Sequence, residues 1–241
     1  MLNLIEIKKA KRVIFVGDTH GDLEASQKII KDYLKPGNKI VFLGDYVDRG
    51  PFSKENLDFL LEQREKHPDK IILLQGNHEG HKILSFSPAE FWESLNELEY
   101  KKYSSIVEKF PLAVVLNSII ALHGALPNLE KLDDFEKIKI GDENWFRICW
   151  GDFYDEPGEN LGIDIFTGRP KFGRDYFFKI MEKFNKKILI RSHQPDTPLF
   201  MFDNFCLTIF TSLAYTNERT IAIFETEKKI KSAKDLKILK I

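Results

Sequence analysis

Long apolar runs, cysteines and an excess of charge of either sign are all scarce in this 241-residue sequence. No stretch approaches the roughly 20 consecutive apolar residues of a membrane-spanning helix, so no membrane association is expected. The segment from Met1 to Arg12 mixes acidic and basic residues without an apolar core and does not read as a secretory signal. The two cysteines, Cys149 and Cys206, sit among apolar neighbours without the paired spacing of a zinc site or a disulfide framework. A soluble protein of the reducing cytoplasm is the simplest expectation. Lys and Arg number 36 against 37 Asp and Glu, which excludes the basic excess of a general nucleic-acid binder. Internal repeats and Gly/Ser- or Pro-rich linkers are also missing, and the length suits a single domain, 1–241. What is plentiful is apolar residue, at 43% enough to bury a substantial core.

One unit recurs along the chain: a short apolar run that stops at a turn bearing polar residues. Val13-Ile14-Phe15-Val16 runs into Gly17-Asp18-Thr19-His20, and Ile40-Val41-Phe42-Leu43 into Gly44-Asp45. Ile71-Ile72-Leu73-Leu74 reaches Gln75-Gly76-Asn77-His78-Glu79, Ile119 to Leu122 ends at His123, and Ile188 to Ile190 ends at Arg191-Ser192-His193. Short, β-branched and closed by turns, these runs predict buried strands. Helices are predicted between them: Leu23 to Leu34, Ser53 to Arg64 with Ser53 as N-cap and Asn56 three residues on, and Pro88 to Val107 with Phe91, Leu95 and Leu98 on one side. Beyond about residue 110 strands should dominate, and the Lys-rich tail from Glu225 to Ile241 reads as a solvated edge element. The fold class is therefore α/β, with two packed mixed sheets flanked by helices.

In an open α/β sheet, ligands bind beyond the carboxyl ends of the strands. Four of the six histidines, His20, His78, His123 and His193, stand at such ends, alongside Asp18, Asp45 and Asn77. Taken singly, the acids and the amide also fit helix caps or turn closures. Jointly with the histidines they form an oxygen and nitrogen donor set without thiolate, suited to Mn, Fe, Zn or Co. Asp18 and His20, two residues apart, could face one ion; Asp45 has two oxygens and could bridge to a second; Asn77, His123 and His193 could complete that second site. Two ions roughly 3.5–4 Å apart activate water and clamp an in-line displacement at phosphorus.

Gly17-Asp18-Thr19-His20-Gly21, Gly44-Asp45-Tyr46-Val47-Asp48-Arg49-Gly50 and Gly76-Asn77-His78-Glu79 resemble the three signature blocks of the phosphoprotein (serine/threonine) phosphatase family of the calcineurin-like metallophosphoesterase superfamily. His123-Gly124-Ala125-Leu126-Pro127, Trp150-Gly151-Asp152 and Arg191-Ser192-His193-Gln194 are similar to later blocks, so the likeness spans about residues 12–224. The resemblance implies two divalent metal ions, Mn²⁺ in vitro with Fe, Zn, Co or Ni as alternatives. Asp18 and His20 would hold the first, Asp45 would bridge, and Asn77, His123 and His193 would hold the second. It further implies that His78 is the general acid, with metal ligation as its alternative. Asp48 would orient its imidazole and favour the protonated form, and Arg49 would grip the phosphate. Arg169 is the candidate for the family's second phosphate-binding arginine, with Arg174 the alternative, and Tyr215 matches a tyrosine near the mouth of the site.

Departures from the family pattern are Gln75 for Arg, Phe153 for Pro, Ala125 for Gly, and the 211–216 segment. Gln75, Phe153 and 211–216 are expected to bear on the groove that reads the substrate. The implied function is metal-dependent hydrolysis of a phosphomonoester, with a phosphorylated protein as the leading substrate. The alternatives are a dinucleoside polyphosphate or other small phosphoester, and a catalytically silent phosphoprotein-binding scaffold. The scaffold would need a missing ligand, acid or clamp, and every such position is filled.

Overall fold

The computed structural model describes residues 2–241. Its first half is an alternation of strands and helices: β1 (Leu4–Glu6), β2 (Arg12–Val16), α1 (Leu23–Tyr33), β3 (Asn38–Phe42), α2 (Ser53–Lys66), β4 (Ile71–Leu73), α3 (Glu90–Ser94) and α4 (Glu97–Val107). The second half adds β5 (Ala113–Leu116), β6 (Ile119–Leu122), α5 (Glu143–Trp150), β7 (Asp152–Phe153), β8 (Asn160–Ile163), β9 (Pro170–Phe172), α6 (Arg174–Lys183), β10 (Ile188–Arg191), β11 (Phe200–Met201), β12 (Cys206–Thr208), β13 (Thr220–Glu225) and β14 (Lys237–Lys240).

Because α1 and α2 carry the chain back across the sheet, β2, β3 and β4 pair in parallel. With β13 and β14 added antiparallel, they form a five-stranded sheet ordered β14-β13-β2-β3-β4. A mixed six-stranded sheet, β1-β5-β6-β10-β12-β11, packs against it. Strand alternation explains the packing. Val13, Phe15, Val41, Ile72 and Ala222 of one sheet meet Val114, Leu116, Ile190 and Leu207 of the other in a shared interior. The alternate residues Ile14, Val16, Ile40 and Phe42 turn outward onto Ile29, Leu57 and Leu60 of α1 and α2. On the far side, Val115, Ile120, Leu122 and Leu189 pack under Ile148, Phe177 and Ile180 of α5 and α6. Every core strand is thus buried on both faces, which is why each reads as an unbroken apolar run.

Three local features differ from the sequence expectations. Ser53 is the first residue of α2 rather than its N-cap: Phe52 takes that place without a side-chain cap bond. Asn56 is instead buried, donating to Thr19 Oγ1 and the Tyr46 carbonyl and accepting from Ser26, so it ties α1 and α2 to the turns after β2 and β3. The 88–107 segment is not one helix. Leu95 is extended and Asn96 restarts the chain with a capping box to Glu99, which turns Leu98 out to 81% exposure. Beyond residue 110 two helices, α5 and α6, and a small third sheet, β7-β9-β8, join the expected strands. Asp142 caps α5, and the apolar Trp145, Ile148 and Cys149 give it an inner face. The tail, read as a solvated edge element, supplies the edge strand β14. Among the described residues no helix is long and apolar enough to cross a membrane.

Candidate metal centre and active site

The two sheets are joined just beyond the carboxyl end of β2. Asp18 forms a lone parallel bridge with Phe210, its N–H donates to Ser192 Oγ, and Ser192 Oγ donates to the Ile209 carbonyl. A Cβ on Gly17 would lie 2.1 Å from that carbonyl oxygen, so only glycine permits the approach. Asp18 and His20 follow β2, Asp45, Asp48 and Arg49 follow β3, Asn77 and His78 follow β4, His123 follows β6 and His193 follows β10. Five of them hold positive φ without being glycine: His20 (40°), Asp45 (55°), Asp48 (67°), Arg49 (68°) and His193 (75°). Each such conformation costs on the order of 1–3 kcal/mol and persists only where surrounding structure enforces it.

Glu79 does much of that enforcing. Its carboxylate accepts from the backbone N–H of Asp45 (2.8 Å), Tyr46 (3.0 Å) and Gly76 (2.9 Å), clamping the turns after β3 and β4 together. Burial, then the neighbouring Asp45 charge, push the Glu79 carboxyl up to about 8, against those three donors. Sequence reading marked Glu79 as part of a motif and assigned it no role. Two of its three partners, Asp45 and Tyr46, lie more than 30 residues away, and no local pattern encodes them.

The side chains converge as donors of lone pairs. His123 Nε2 lies 3.1 Å from Asn77 Oδ1, 3.1 Å from His193 Nδ1 and 3.4 Å from Asp45 Oδ2, and His193 Nδ1 is 3.0 Å from Asn77 Oδ1. His123 Nδ1–H donates to the Leu43 carbonyl, so Nε2 is the lone-pair side of the neutral ring. Without a cation the cluster is left to attract protons. Burial opposes charge on His123, but the carboxylates of Asp45 and Asp18 prevail and push it up to about 9. Burial raises Asp45 too, yet the imidazoles of His123, His78 and His20 hold it well below the ordinary range. His193 is driven well below its ordinary value by burial and by Arg169, so it offers a neutral ring. Its Nε2 lies 3.4 Å from Asp152 Oδ1, with no hydrogen bond between them. A divalent cation would replace the His123 proton on a ready nitrogen and oxygen set, and the residues therefore fit a metal.

A second trio lies alongside, with Asp45 common to both: His20, Asp45 and His78 in one, Asp45, His123 and His193 in the other. His20 Nδ1–H donates to the Val47 carbonyl at 2.8 Å, leaving Nε2 3.6 Å from Asp45 Oδ2 and 3.7 Å from Asp18 Oδ2. Burial, followed by the charge of His78, lowers His20, and burial pushes Asp18 up to about 6. All six residues named for metal binding are thus brought together, and His78 comes within reach of the same trio. What distinguishes His78 is its partner: Nδ1–H donates to Asp48 Oδ2 at 2.5 Å, where His20 and His123 donate to carbonyls. Asp48 is itself held by the Phe91 N–H at 2.7 Å.

A cavity of about 530 Å³ opens over this cluster, lined by His20, Asp45, His78, Asp152, Arg169 and His193. Of the two candidate second arginines, Arg169 lies in it, with Nη1 3.8 Å from Asp152 Oδ1 and its guanidinium 5.9 Å from the Trp150 ring centre. Arg174 instead starts α6 and pairs with Asp155 and Asp203. The buried atoms Arg169 Nε, Asp152 Oδ1 and His193 Nε2 have no hydrogen-bond partner among the described residues. Arg49 is turned aside: Nε–H donates to the Tyr215 hydroxyl (2.8 Å), and Nη1 donates to the Pro88 carbonyl (2.7 Å) and Glu90 (3.0 Å). It lines a neighbouring cavity of about 560 Å³ with Phe52 and Leu213, while Tyr215 lines the first and meets His20 edge-on.

Of the family departures, Gln75 lies away from both cavities, whereas Phe153 is among the residues lining the 530 Å³ cavity. Gln75 is buried, accepting from Trp145 Nε1 and donating to the Val107 carbonyl, and so joins α4 to α5. The Phe153 ring is fully buried among Phe177 and Phe202. The 211–216 segment does reach the surface, lining both cavities through Ser212, Leu213, Ala214 and Tyr215.

The family model for calcineurin-like phosphoesterases matches residues 11–196. A probable serine/threonine-protein phosphatase of Encephalitozoon cuniculi is 27% identical over 202 residues, 80% of this chain and 44% of that protein. Serine/threonine-protein phosphatase T of Schizosaccharomyces pombe is 28% identical over 231 residues, 88% of this chain and 48% of that protein. The chain spans about half the length of the curated relatives it matches. In three dimensions it is similar to a protein serine/threonine phosphatase from Saccharomyces cerevisiae with similarity to human phosphatase PP5 (TM-score 0.80, 22% identity, 99% of this chain and 83% of that one). It is also similar to a putative diadenosine tetraphosphatase (TM-score 0.63, 14% identity, 100% and 98%). With its two sheets closed over a shared cluster of acids and histidines, and a family model spanning most of its length, the chain belongs to the calcineurin-like phosphoesterase family.

Proposed function

We propose that this chain is a metal-dependent phosphatase that hydrolyses phosphoserine and phosphothreonine esters in proteins. The observation that carries the reading is the pairing, in one cavity, of a lone-pair cluster bridged by Asp45 with the His78–Asp48 couple. Asp18, His20 and Asp45 would hold one divalent ion; Asp45, Asn77, His123 and His193 would hold the other. Mn²⁺ is the ion proposed for assay, with Fe, Zn, Co or Ni compatible with the same donors. Such ions supply an acidified water and neutralise charge on the phosphoryl oxygens.

The chain's own residues do the rest. Hydrolysis forms a bond from phosphorus to the water oxygen and breaks the bond to the ester oxygen. His78, as an imidazolium held by Asp48, delivers its Nε2 proton to the departing alkoxide. Arg169 faces the cavity with unfilled donor capacity and would take phosphoryl oxygens. Arg49 would join it on exchanging Glu90 for phosphate, and Tyr215 would steady its Nε. We further propose that residues 1–241 act as one catalytic unit in the cytoplasm, where the buried, unpaired Cys149 and Cys206 would stay reduced.

The second reading keeps the chemistry and replaces the protein by a small phosphoester. Its support is the compact chain, which covers nearly all of the putative diadenosine tetraphosphatase. The test is phosphate release from a phosphothreonine peptide by metal-stripped protein given back Mn²⁺, beside His78→Asn. Restored turnover that the variant loses while still binding Mn²⁺ is the expected result. Cleavage of diadenosine tetraphosphate with the peptide left intact would overturn the protein-phosphatase reading.

A further inference from the structure

The turn between β8 and β9 carries two kinds of side chain on one ordered segment. Asp164 Oδ1 accepts from the N–H of Phe166 (3.1 Å), the N–H of Thr167 (2.9 Å) and the Thr167 hydroxyl (3.0 Å). Asp164 N–H donates to the Arg169 carbonyl and Gly168 N–H to the Asp164 carbonyl, both at 2.9 Å. This bonding, with the pairing of β8 and β9, holds the turn in one shape. On one side, Asp164, Thr167 and Arg169 line the 530 Å³ cavity. On the other, Ile163, Ile165 and Phe166 project into solvent, 64%, 87% and 91% exposed.

Single exposed apolar side chains are ordinary; three within four residues, at the rim of a catalytic cavity, mark a contact surface. The turn that supplies part of the cavity wall also carries the apolar tip, so a chain with its phosphoryl group in the cavity has this tip beside it. The lining also carries the carboxylates Glu156, Asp164 and Asp196 beside Arg169. Those carboxylates repel a polyphosphate and leave a polypeptide bearing one phosphate as the better-matched occupant.

We propose that Ile163, Ile165 and Phe166 dock apolar side chains flanking the phosphorylated residue of a polypeptide substrate. This deepens the protein-phosphatase reading and rests on it. The test compares kcat/KM for three substrates: a phosphothreonine peptide with Leu and Phe beside the phosphoresidue, the same peptide with Ser in their place, and p-nitrophenyl phosphate. Each is measured with Mn²⁺-loaded wild type, the double variant Ile165→Ser/Phe166→Ser, and the conservative Phe166→Leu. Wild type should prefer the apolar peptide by at least about tenfold, the effect of burying one large apolar side chain. The double variant should lose that preference through KM while keeping p-nitrophenyl phosphate turnover, and Phe166→Leu should retain most of it.

Peptide turnover indifferent to the flanking residues, or a preference that survives the double variant, would overturn the docking role alone. Turnover of p-nitrophenyl phosphate without any peptide turnover would overturn the protein-phosphatase reading and the docking role with it. A dimer in sedimentation that Phe166→Ser dissociates, with no peptide preference, would assign the tip to a second copy of the chain and likewise overturn the proposal.

Discussion

Asp48→Asn isolates the role of the His78 partner with little collateral change. Asp48 sits at φ 67°, a conformation that Asn tolerates as well as Asp does. Its Oδ1 accepts from the Phe91 N–H, a bond the amide oxygen can keep. The amide NH₂ then faces His78 Nδ1, 2.5 Å from the present Oδ2. There it can only donate, and the imidazolium loses its anionic acceptor. One charge-assisted hydrogen bond is worth roughly 1.5–3 kcal/mol, so kcat on a phosphothreonine peptide should fall by roughly 10- to 150-fold. An alkoxide leaving group needs the His78 proton, whereas p-nitrophenolate departs without one. The loss on p-nitrophenyl phosphate should therefore be several-fold smaller, with Mn²⁺ affinity by calorimetry unchanged. Equal losses on both substrates, or full activity on the peptide, would refute the assignment of His78 as proton donor.

Two further outcomes follow from the same cluster. In the metal-free protein, Asp18, Glu79 and His123 titrate at about 6, 8 and 9, each above its ordinary value. Groups raised in the folded state contribute stability at low pH that is lost as pH rises through the folded value. The apo protein should therefore weaken in thermal melts between about pH 6.5 and pH 9, whereas below that window His20, His193 and Asp45, all held low, act in the opposite sense. Mn²⁺ must displace the His123 proton, so binding below pH 9 should release protons, seen as a buffer-dependent enthalpy in calorimetry, and affinity should decline as pH falls. Separately, Arg169→Ala should raise KM for phosphopeptide by roughly tenfold or more, the cost of losing a charged hydrogen bond. Arg174→Ala, which breaks only exposed pairs with Asp155 and Asp203, should leave kinetics unchanged.

Much of the site was legible because it is built from local pieces. Each donor lies within a few residues of the end of a β-branched run, and both run and turn are written in neighbouring residues. The central strands and the side chains that converge beyond their ends could therefore be read directly. The sheet pairing, the left-handed backbone at five site residues and the Glu79 clamp could not, because each depends on contacts between distant segments. The same limit misplaced Gln75, whose neighbour Trp145 comes from a helix that the sequence pattern left unseen. It also joined α3 and α4 into one helix, although the Asn96–Glu99 capping box that separates them is a local signal that apolar spacing outweighed.

By itself, then, the sequence determined which side chains stand at strand ends and hence which chemistry they can carry. Only the tertiary structure decided which of Arg169 and Arg174 reaches the cavity, and that Arg49 rests on Glu90 and Tyr215. It also decided that Ile165 and Phe166 stay in water. The physical reason is that a turn residue's direction is set by the hydrogen bonds and packing of the whole segment. For β8–β9 those are the Asp164 bonds on one side and the sheet with β7 on the other.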